Sequence, residues 1–225
     1  MRTTFVRRTQ PPRGVRTWWG KAWQRAVEEA TYSEAELRPG RTHARRGDIG
    51  GITVDAGTVV AAVRDGEDAW TVEVAVPVLD DDARRAFVDV VAAESGRVAE
   101  LLSANLPHDL VEHAEEVGVE LLPYGGELAA TCTCPHYLDP CAHAVAVLLQ
   151  VGWLVDEDPL VLLAVRGLDR EGLLAALHAR TADASQERGA AVVGELADDV
   201  ELAVDAALRA RAMIAAFEDD AQAPR

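Results

Sequence analysis

The three cysteines of this 225-residue chain lie within ten residues of one another and beside a histidine. In the segment TCTCPHYLDPCAH, one residue separates Cys132 from Cys134, and one residue separates Cys141 from His143. Three thiolates and one imidazole are a common ligand set for a four-coordinate, tetrahedral zinc ion. The pattern therefore predicts a structural Zn²⁺ site formed by these four side chains.

Two other functions of the cluster and one other fourth ligand are the alternatives to this prediction. A catalytic zinc ion needs an open coordination position and a base, whereas four protein ligands close the shell. A redox function for the cysteines leaves the neighbouring histidine unexplained. His136, two residues after Cys134, is an alternative fourth ligand. We prefer His143, because its place at the start of a predicted helix fixes its position.

The elements around the cluster must bring the ligands together. Residues two apart on a strand point to the same face, so a strand over 127–134 would direct both cysteines of the C-x-C pair to one ion. A loop over 135–140 turns the chain back, and the helix predicted over 142–155 is so apolar that it must be buried. The positive end of that helix favours the thiolate form of Cys141. We expect a strand–loop–helix clip in which metal binding stabilises the core.

Periodicity along the rest of the chain predicts an α+β fold, with a small antiparallel meander and helices before the zinc clip and further helices after it. Three antiparallel strands with one buried face are predicted over 49–55, 58–64 and 69–77. A further short strand is predicted over 119–122. Helices are predicted over 17–30, 80–95, 97–104, 108–117, 158–165, 170–180 and 190–217.

We expect three regions along the chain. An N-terminal α+β domain with a basic start covers 1–118, the zinc finger covers 119–165, and a helical C-terminal region covers 166–225. Within the last region the small, polar sequence TADASQERG predicts a linker near 181–189. Trp19 and Trp23 of the first helix could stack on nucleobases, but their helical spacing favours packing in the core.

The net charge of −16 is distributed unevenly. Residues 1–46 contain eleven Arg or Lys and four Asp or Glu, whereas no Arg or Lys occurs from Val98 to Val165, where the cysteines lie. Any contact with nucleic-acid phosphates is therefore expected from the N-terminal segment, with Arg41, Arg45 and Arg46 as the candidates. Charges that keep a strand edge from aggregating are the alternative interpretation of these arginines.

Several classes of protein do not fit the sequence. No run of 18 apolar residues predicts a membrane span, and the basic N-terminus lacks the apolar segment of a secretory signal. Clustered thiols without such a signal favour a reducing compartment, so we expect a cytoplasmic protein. Paired catalytic carboxylates, a nucleophile elbow and a phosphate loop are absent from the sequence, so we expect no enzymatic activity.

The spacing of the four ligands on a strand–loop–helix segment resembles the SWIM-type zinc finger, a family found beside SWI2/SNF2 ATPases and in MuDR transposases. The resemblance covers about residues 15–180, including GRTHARRG and LAATCTCP, and points to bacterial SWIM proteins often encoded next to SNF2-type helicases. It implies zinc binding together with DNA association or protein contact. Relatives often carry an acidic residue after Cys-Pro and a lysine between the last two ligands, where this chain has His136 and Ala142.

The charge distribution and the resemblance to SWIM proteins lead to two alternative functions. The acidic, cation-free region around the finger would suit the basic surface of a DNA-handling protein, which predicts a protein-interaction adaptor with an SNF2-type helicase or ATPase as partner. The alternative is direct DNA or other nucleic-acid binding through the Arg-rich N-terminal segment, with an affinity that falls steeply with salt.

Overall fold

The strands of the fold form a single five-stranded antiparallel sheet. The computed structural model describes the backbone of residues 2–31 and 33–221, and the side chains of these residues apart from 187–200, 210 and 212–221. The strands are β1 (Thr3–Phe5), β2 (Ile49–Asp55), β3 (Thr58–Asp65), β4 (Asp68–Ala75) and β5 (Ala129–Cys132), and they are ordered β1-β2-β3-β4-β5 across the sheet.

The helices are α1 (Trp18–Ala30), α2 (Glu34–Arg46), α3 (Asp81–Ala92), α4 (Ser95–Leu102), α5 (His108–Glu116), α6 (Ala142–Glu157), α7 (Pro159–Val165) and α8 (Arg170–Ala221), with one turn of 3-10 helix over Gly125–Glu127. Helices α1 and α2 precede strands β2–β4 and the other helices follow them, and α6 and α7 contact the sheet. The predicted α+β fold, with its meander, strand–loop–helix segment and C-terminal helices, is confirmed. In the part of the chain that the structure describes, no helix has the length and apolarity that a membrane crossing requires.

The core is organised around α6, which contacts α1 and α2 and crosses four strands of the sheet. Trp19 and Trp23 of α1 are buried, as their spacing predicted. The indole N–H of Trp19 donates to the carbonyl oxygen of Val155 at 2.9 Å, and that of Trp23 donates to Leu148 at 3.0 Å. Both acceptors lie on α6, so the tryptophans fasten α1 to the helix that follows the cysteine cluster.

Helix α2 was not predicted, because its sequence contains Pro39 and Gly40, which usually interrupt helices. Ser33 begins it by accepting a hydrogen bond from the backbone N–H of Ala35 at 3.1 Å. Gly40 then permits close packing on α6, since a Cβ atom at this position would lie 2.6 Å from Cγ1 of Val145. Tertiary packing therefore outweighs the low helix propensity of this segment.

The strand predicted over 119–122 is wrong. Val119 and Leu121 are buried as in a strand, but the segment joins no β-ladder. The buried guanidinium of Arg166 instead donates to the carbonyl oxygens of Pro77 and Glu120, both at 2.7 Å. One buried arginine thus satisfies the carbonyl oxygen of Glu120, which a neighbouring strand would otherwise do.

The residues of the linker predicted near 181–189 lie within α8, which runs from Arg170 to Ala221. The segment is polar, yet it is rich in Ala, Glu, Gln and Arg, which are good helix formers. The chain divides into two compact units, of which the first ends at Leu177 and the second begins at His178. The boundaries expected at 118 and 165 therefore fall inside the first unit, and the zinc-finger region shares its core with the N-terminal residues.

Candidate metal centre

The four predicted metal ligands are carried by two elements that meet at the end of the sheet. Cys132 ends β5, opposite Val72 of β4, and Cys134 follows two residues later. The residue between them still pairs with the sheet, since the backbone N–H of Thr133 donates to Thr71 at 3.0 Å. The two cysteines therefore leave the same side of an extended segment. Cys141 and His143 lie at the start of α6.

One ligand atom from each of these side chains lies within 4.8 Å of the others. The Sγ atoms of Cys134 and Cys141 are 3.7 Å apart, and Sγ of Cys132 is 3.9 Å from Nδ1 of His143. With zinc–sulfur bonds of about 2.3 Å, the sulfurs of a tetrahedral site are separated by about 3.8 Å. The donor types and spacings therefore fit a closed Cys3His zinc shell.

His136 is not part of this cluster. Its Nε2 lies 3.6 Å from a carboxylate oxygen of Glu36, and its Nδ1 accepts a hydrogen bond from the backbone N–H of Leu138 at 3.3 Å. The structure thus groups His143, and not the alternative His136, with the three cysteines.

Two carboxylates from distant parts of the chain support the ligands. Oδ2 of Asp65 lies 3.3 Å from Nε2 of His143, on the side of the ring away from Cys132. A carboxylate in this position orients a metal-bound imidazole and fixes its tautomer. Glu36 accepts a hydrogen bond from the backbone N–H of Ala142 at 2.8 Å and so caps the start of α6, where Cys141 itself provides no side-chain cap.

Without a cation, the surroundings of the cysteines favour the neutral thiol. Burial raises the pKa of Cys132 to about 12, and burial also raises the pKa of Cys141 above its usual value. The backbone N–H groups of His143 and Ala144 act in the opposite direction on the pKa of Cys141, as expected for a helix N-terminus. Burial outweighs them, so a bound metal ion must displace the thiol protons, and its affinity should increase with pH.

Comparison with known families agrees with this geometry. Residues 116–152 match the family model described as SWIM zinc finger. This part of the chain is similar to a SWIM zinc finger. The match begins near the end of α5, includes β5 and all four clustered side chains, and extends into α6.

The similarity also extends beyond the SWIM finger. The chain is 32% identical over 188 residues to the uncharacterized protein Rv2102 of Mycobacterium tuberculosis. The alignment covers 83% of this chain and 66% of the relative, so the chain spans slightly less than two thirds of that protein's length. No solved structure matches the chain.

The three predicted phosphate contacts lie on α2 and not at a strand edge, so their interpretation as edge protection is wrong. Arg41 forms ion pairs with Glu28 at 2.7 Å and Glu34 at 3.9 Å. Arg45 and Arg46 are exposed and form no ion pair with the residues that the structure describes. Two of the three cations are therefore available to an external anion.

Asp65 was missed because no local pattern connects it to a ligand 78 residues away. Replacing Asp65 with alanine is expected to weaken zinc binding by roughly 10- to 100-fold, because the imidazole of His143 loses the acceptor that orients it. Competition with a chromophoric chelator would measure this affinity. Asp68→Ala, which removes an exposed charge from the same hairpin, is the matched control, and equal affinities of the two variants would exclude this role for Asp65.

Proposed function

We propose that the chain is a zinc-stabilised SWIM module that acts as a non-enzymatic protein-interaction adaptor, with an SNF2-type helicase or ATPase as its partner. The observation that carries this proposal is the loop over 135–140, which joins the two ligand pairs. In this loop the side chain of Tyr137 is 89% exposed and that of Leu138 is 40% exposed. Because Cys134 precedes the loop and Cys141 follows it, a bound zinc ion would hold both of its ends.

The exposed ring of Tyr137 is packed against the neighbouring His136. The rings of His136 and Tyr137 are stacked, with centroids 5.3 Å apart and planes inclined by 2°. His136 is in turn close to Glu36 of α2, which also caps α6. An aromatic side chain presented on a pre-ordered loop loses little conformational entropy on binding, and tyrosine is enriched at the centres of protein interfaces.

The charges near this loop favour a basic protein surface over phosphate. Asp139 lies in the loop, and Asp65 beside His143 begins the acidic hairpin sequence Asp65–Asp68. No cation occurs in the sequence from Val98 to Val165. An acidic and partly apolar surface complements the arginines and lysines of a protein that handles DNA. The choice of an SNF2-type partner rests on the resemblance to SWIM proteins encoded beside such enzymes.

The adaptor function can be tested by co-purification and titration with an SNF2-type ATPase from the same organism. Tyr137→Ala/Leu138→Ala is expected to weaken binding by roughly tenfold or more, because it removes the exposed apolar contacts of the loop. Val117→Ala/Tyr124→Ala, which removes two exposed apolar side chains outside the loop, should retain nearly full binding. Both variants should keep one zinc ion per chain.

Three results would contradict the adaptor proposal. The first is a wild-type protein that does not bind the ATPase, and the second is a loop variant that binds it as tightly as the control. The third is micromolar or tighter DNA binding by the pure protein at physiological salt that charge reversal at Arg41, Arg45 and Arg46 abolishes. That outcome would favour the alternative, direct nucleic-acid binding through the N-terminal arginines.

A further inference from the structure

A small cleft lies between the segment before α1 and the packed helices α1, α2 and α6, and its lining includes Arg13, Gln24, Arg41, Arg45 and Trp153. We propose that this cleft binds a phosphate group of a nucleotide or of a nucleic acid. Its volume is about 120 Å³. Pockets that enclose drug-sized ligands measure roughly 300–1,000 Å³, so the cleft suits one phosphate and the edge of its neighbour better than a whole nucleotide.

The charges of the cleft have one sign. Three arginines line it, and no carboxylate does. Arg13 and Arg45 are exposed and have no ion-pair partner among the residues that the structure describes. Arg41 is oriented by Glu28, which also accepts a hydrogen bond from Gln24 at 3.0 Å. Guanidinium groups in such a cluster can donate several charge-assisted hydrogen bonds to phosphate oxygens.

The helix that carries two of these arginines is fixed against the core. Arg41 and Arg45 are four residues apart on α2 and therefore share one face of the helix. Next to Arg45, the carbonyl oxygen of Ala44 accepts a hydrogen bond from the buried side chain of Gln150 on α6 at 2.9 Å. These contacts fix the position of α2, so two of the three cations need no large rearrangement before a ligand binds.

The segment that carries Arg13 is also fastened to α6. The buried carboxylate of Asp156 accepts hydrogen bonds from Thr17, at 2.6 Å from Oγ1 and 2.8 Å from the backbone N–H, and from the backbone N–H of Arg16 at 3.1 Å. Earlier in the segment, Arg8 forms an ion pair with Glu157. Arg13 is thus placed between two attachments to the end of one helix.

Trp153 also lines the cleft and adds an aromatic surface, which the binding of an inorganic anion alone would not require. Its side chain is half-buried at the cleft, and its indole N–H has no hydrogen-bond partner in the part of the chain that the structure describes. The indoles of Trp19 and Trp23, by contrast, both donate to carbonyl oxygens. An indole beside arginines can stack on a base or donate to a phosphate, and this combination favours nucleotides and nucleic-acid strands over inorganic anions.

This site goes beyond the proposed adaptor function, and its binding is tested at low salt, whereas only micromolar or tighter DNA binding at physiological salt contradicts the adaptor. His143 and Trp153 are ten residues apart on α6, which corresponds to about 15 Å along the helix. The cleft also revises the predicted set of phosphate contacts, since Arg13 joins Arg41 and Arg45 while Arg46 is not part of the lining.

The experiment uses the zinc-loaded chain of 225 residues at low salt. Fluorescence anisotropy measures binding of a labelled single-stranded oligonucleotide, and tryptophan fluorescence measures binding of AMP. Arg13→Ala/Arg45→Ala is expected to weaken binding by roughly tenfold or more, because it removes the two unpaired cations of the cleft. The matched control is Arg25→Ala/Arg38→Ala, which removes two exposed arginines of the same N-terminal region from outside the cleft. Circular dichroism and zinc content verify that each variant is folded.

The outcomes distinguish a free nucleotide from a nucleic-acid strand as the source of the phosphate. Selective weakening of both probes by the cleft variant supports recognition of the phosphate itself, and selective weakening of the oligonucleotide alone supports a nucleic-acid strand as the ligand. Equal losses in the cleft and control variants would show only general attraction to a basic segment and would overturn the proposal. Failure of the wild type to bind either probe would overturn it as well.

Discussion

Replacing Cys141 with serine is expected to abolish stoichiometric zinc binding and to lower the free energy of unfolding of the first compact unit by at least about 5 kcal/mol. Structural zinc sites contribute roughly 10–16 kcal/mol of apparent binding free energy, and the loss of one thiolate removes a large part of it. The effect should extend beyond the finger, because Cys141 and His143 begin α6, and α6 contacts both α1 and the sheet. An elemental analysis and a thermal unfolding curve of each protein would measure the two effects.

The control for this substitution is Thr131→Ala, which changes an exposed residue of β5 beside the ligands and should retain one zinc ion per chain. Chelation of zinc from the wild type should reproduce the Cys141→Ser phenotype. For a unit of this size, a loss of about 5 kcal/mol corresponds to a decrease in melting temperature of roughly 10–20 °C. A wild type that unfolds at the same temperature with and without zinc would contradict a structural role for the metal.

The ligands could be predicted from the sequence because all four lie within twelve residues. Strand alternation places Cys132 and Cys134 on one side, and the next helix begins at Cys141, so the local chain alone brings the donors together. The supporting carboxylates could not be predicted in this way. Asp65 and Glu36 reach the finger from the β3–β4 hairpin and from α2, and only the tertiary fold brings them there.

Two errors in the predicted fold, at α2 and at 119–122, have the same origin. Helix α2 contains Pro39 and Gly40 and is stabilised by packing against α6, which the local sequence does not reveal. The segment 119–122 is predicted to form a strand, but Arg166, from beyond the finger, donates to the carbonyl oxygen of Glu120 there. Local pattern thus predicts elements whose stabilising contacts are close in sequence. It fails where a residue from a distant element supplies the hydrogen bond or the close packing.

Replacing Trp23 with alanine is expected to destabilise the first compact unit by roughly 3–5 kcal/mol, because it leaves a large cavity between α1 and α6. The side chain is 1% exposed, and its indole N–H donates to the carbonyl oxygen of Leu148. Zinc affinity should decrease as well, since Cys141 occupies the N-cap position of the same helix and His143 lies in its first turn. Chemical denaturation with zinc bound would measure the stability, and Trp18→Ala, at a half-buried neighbour, should cost less.

A double-mutant cycle with Gly152 tests whether the contact between Trp23 and α6 carries this stability. A Cβ atom added at Gly152 would lie 2.7 Å from Cδ1 of Trp23, so Gly152→Ala should destabilise the wild type by about 1–3 kcal/mol through overpacking. In the Trp23→Ala background the overlap is gone, and the added methyl group would partly fill the cavity. We therefore expect Gly152→Ala to be neutral or stabilising there, with a coupling free energy of about 1–3 kcal/mol. Additive effects would mean that α1 and α6 are held together by other contacts.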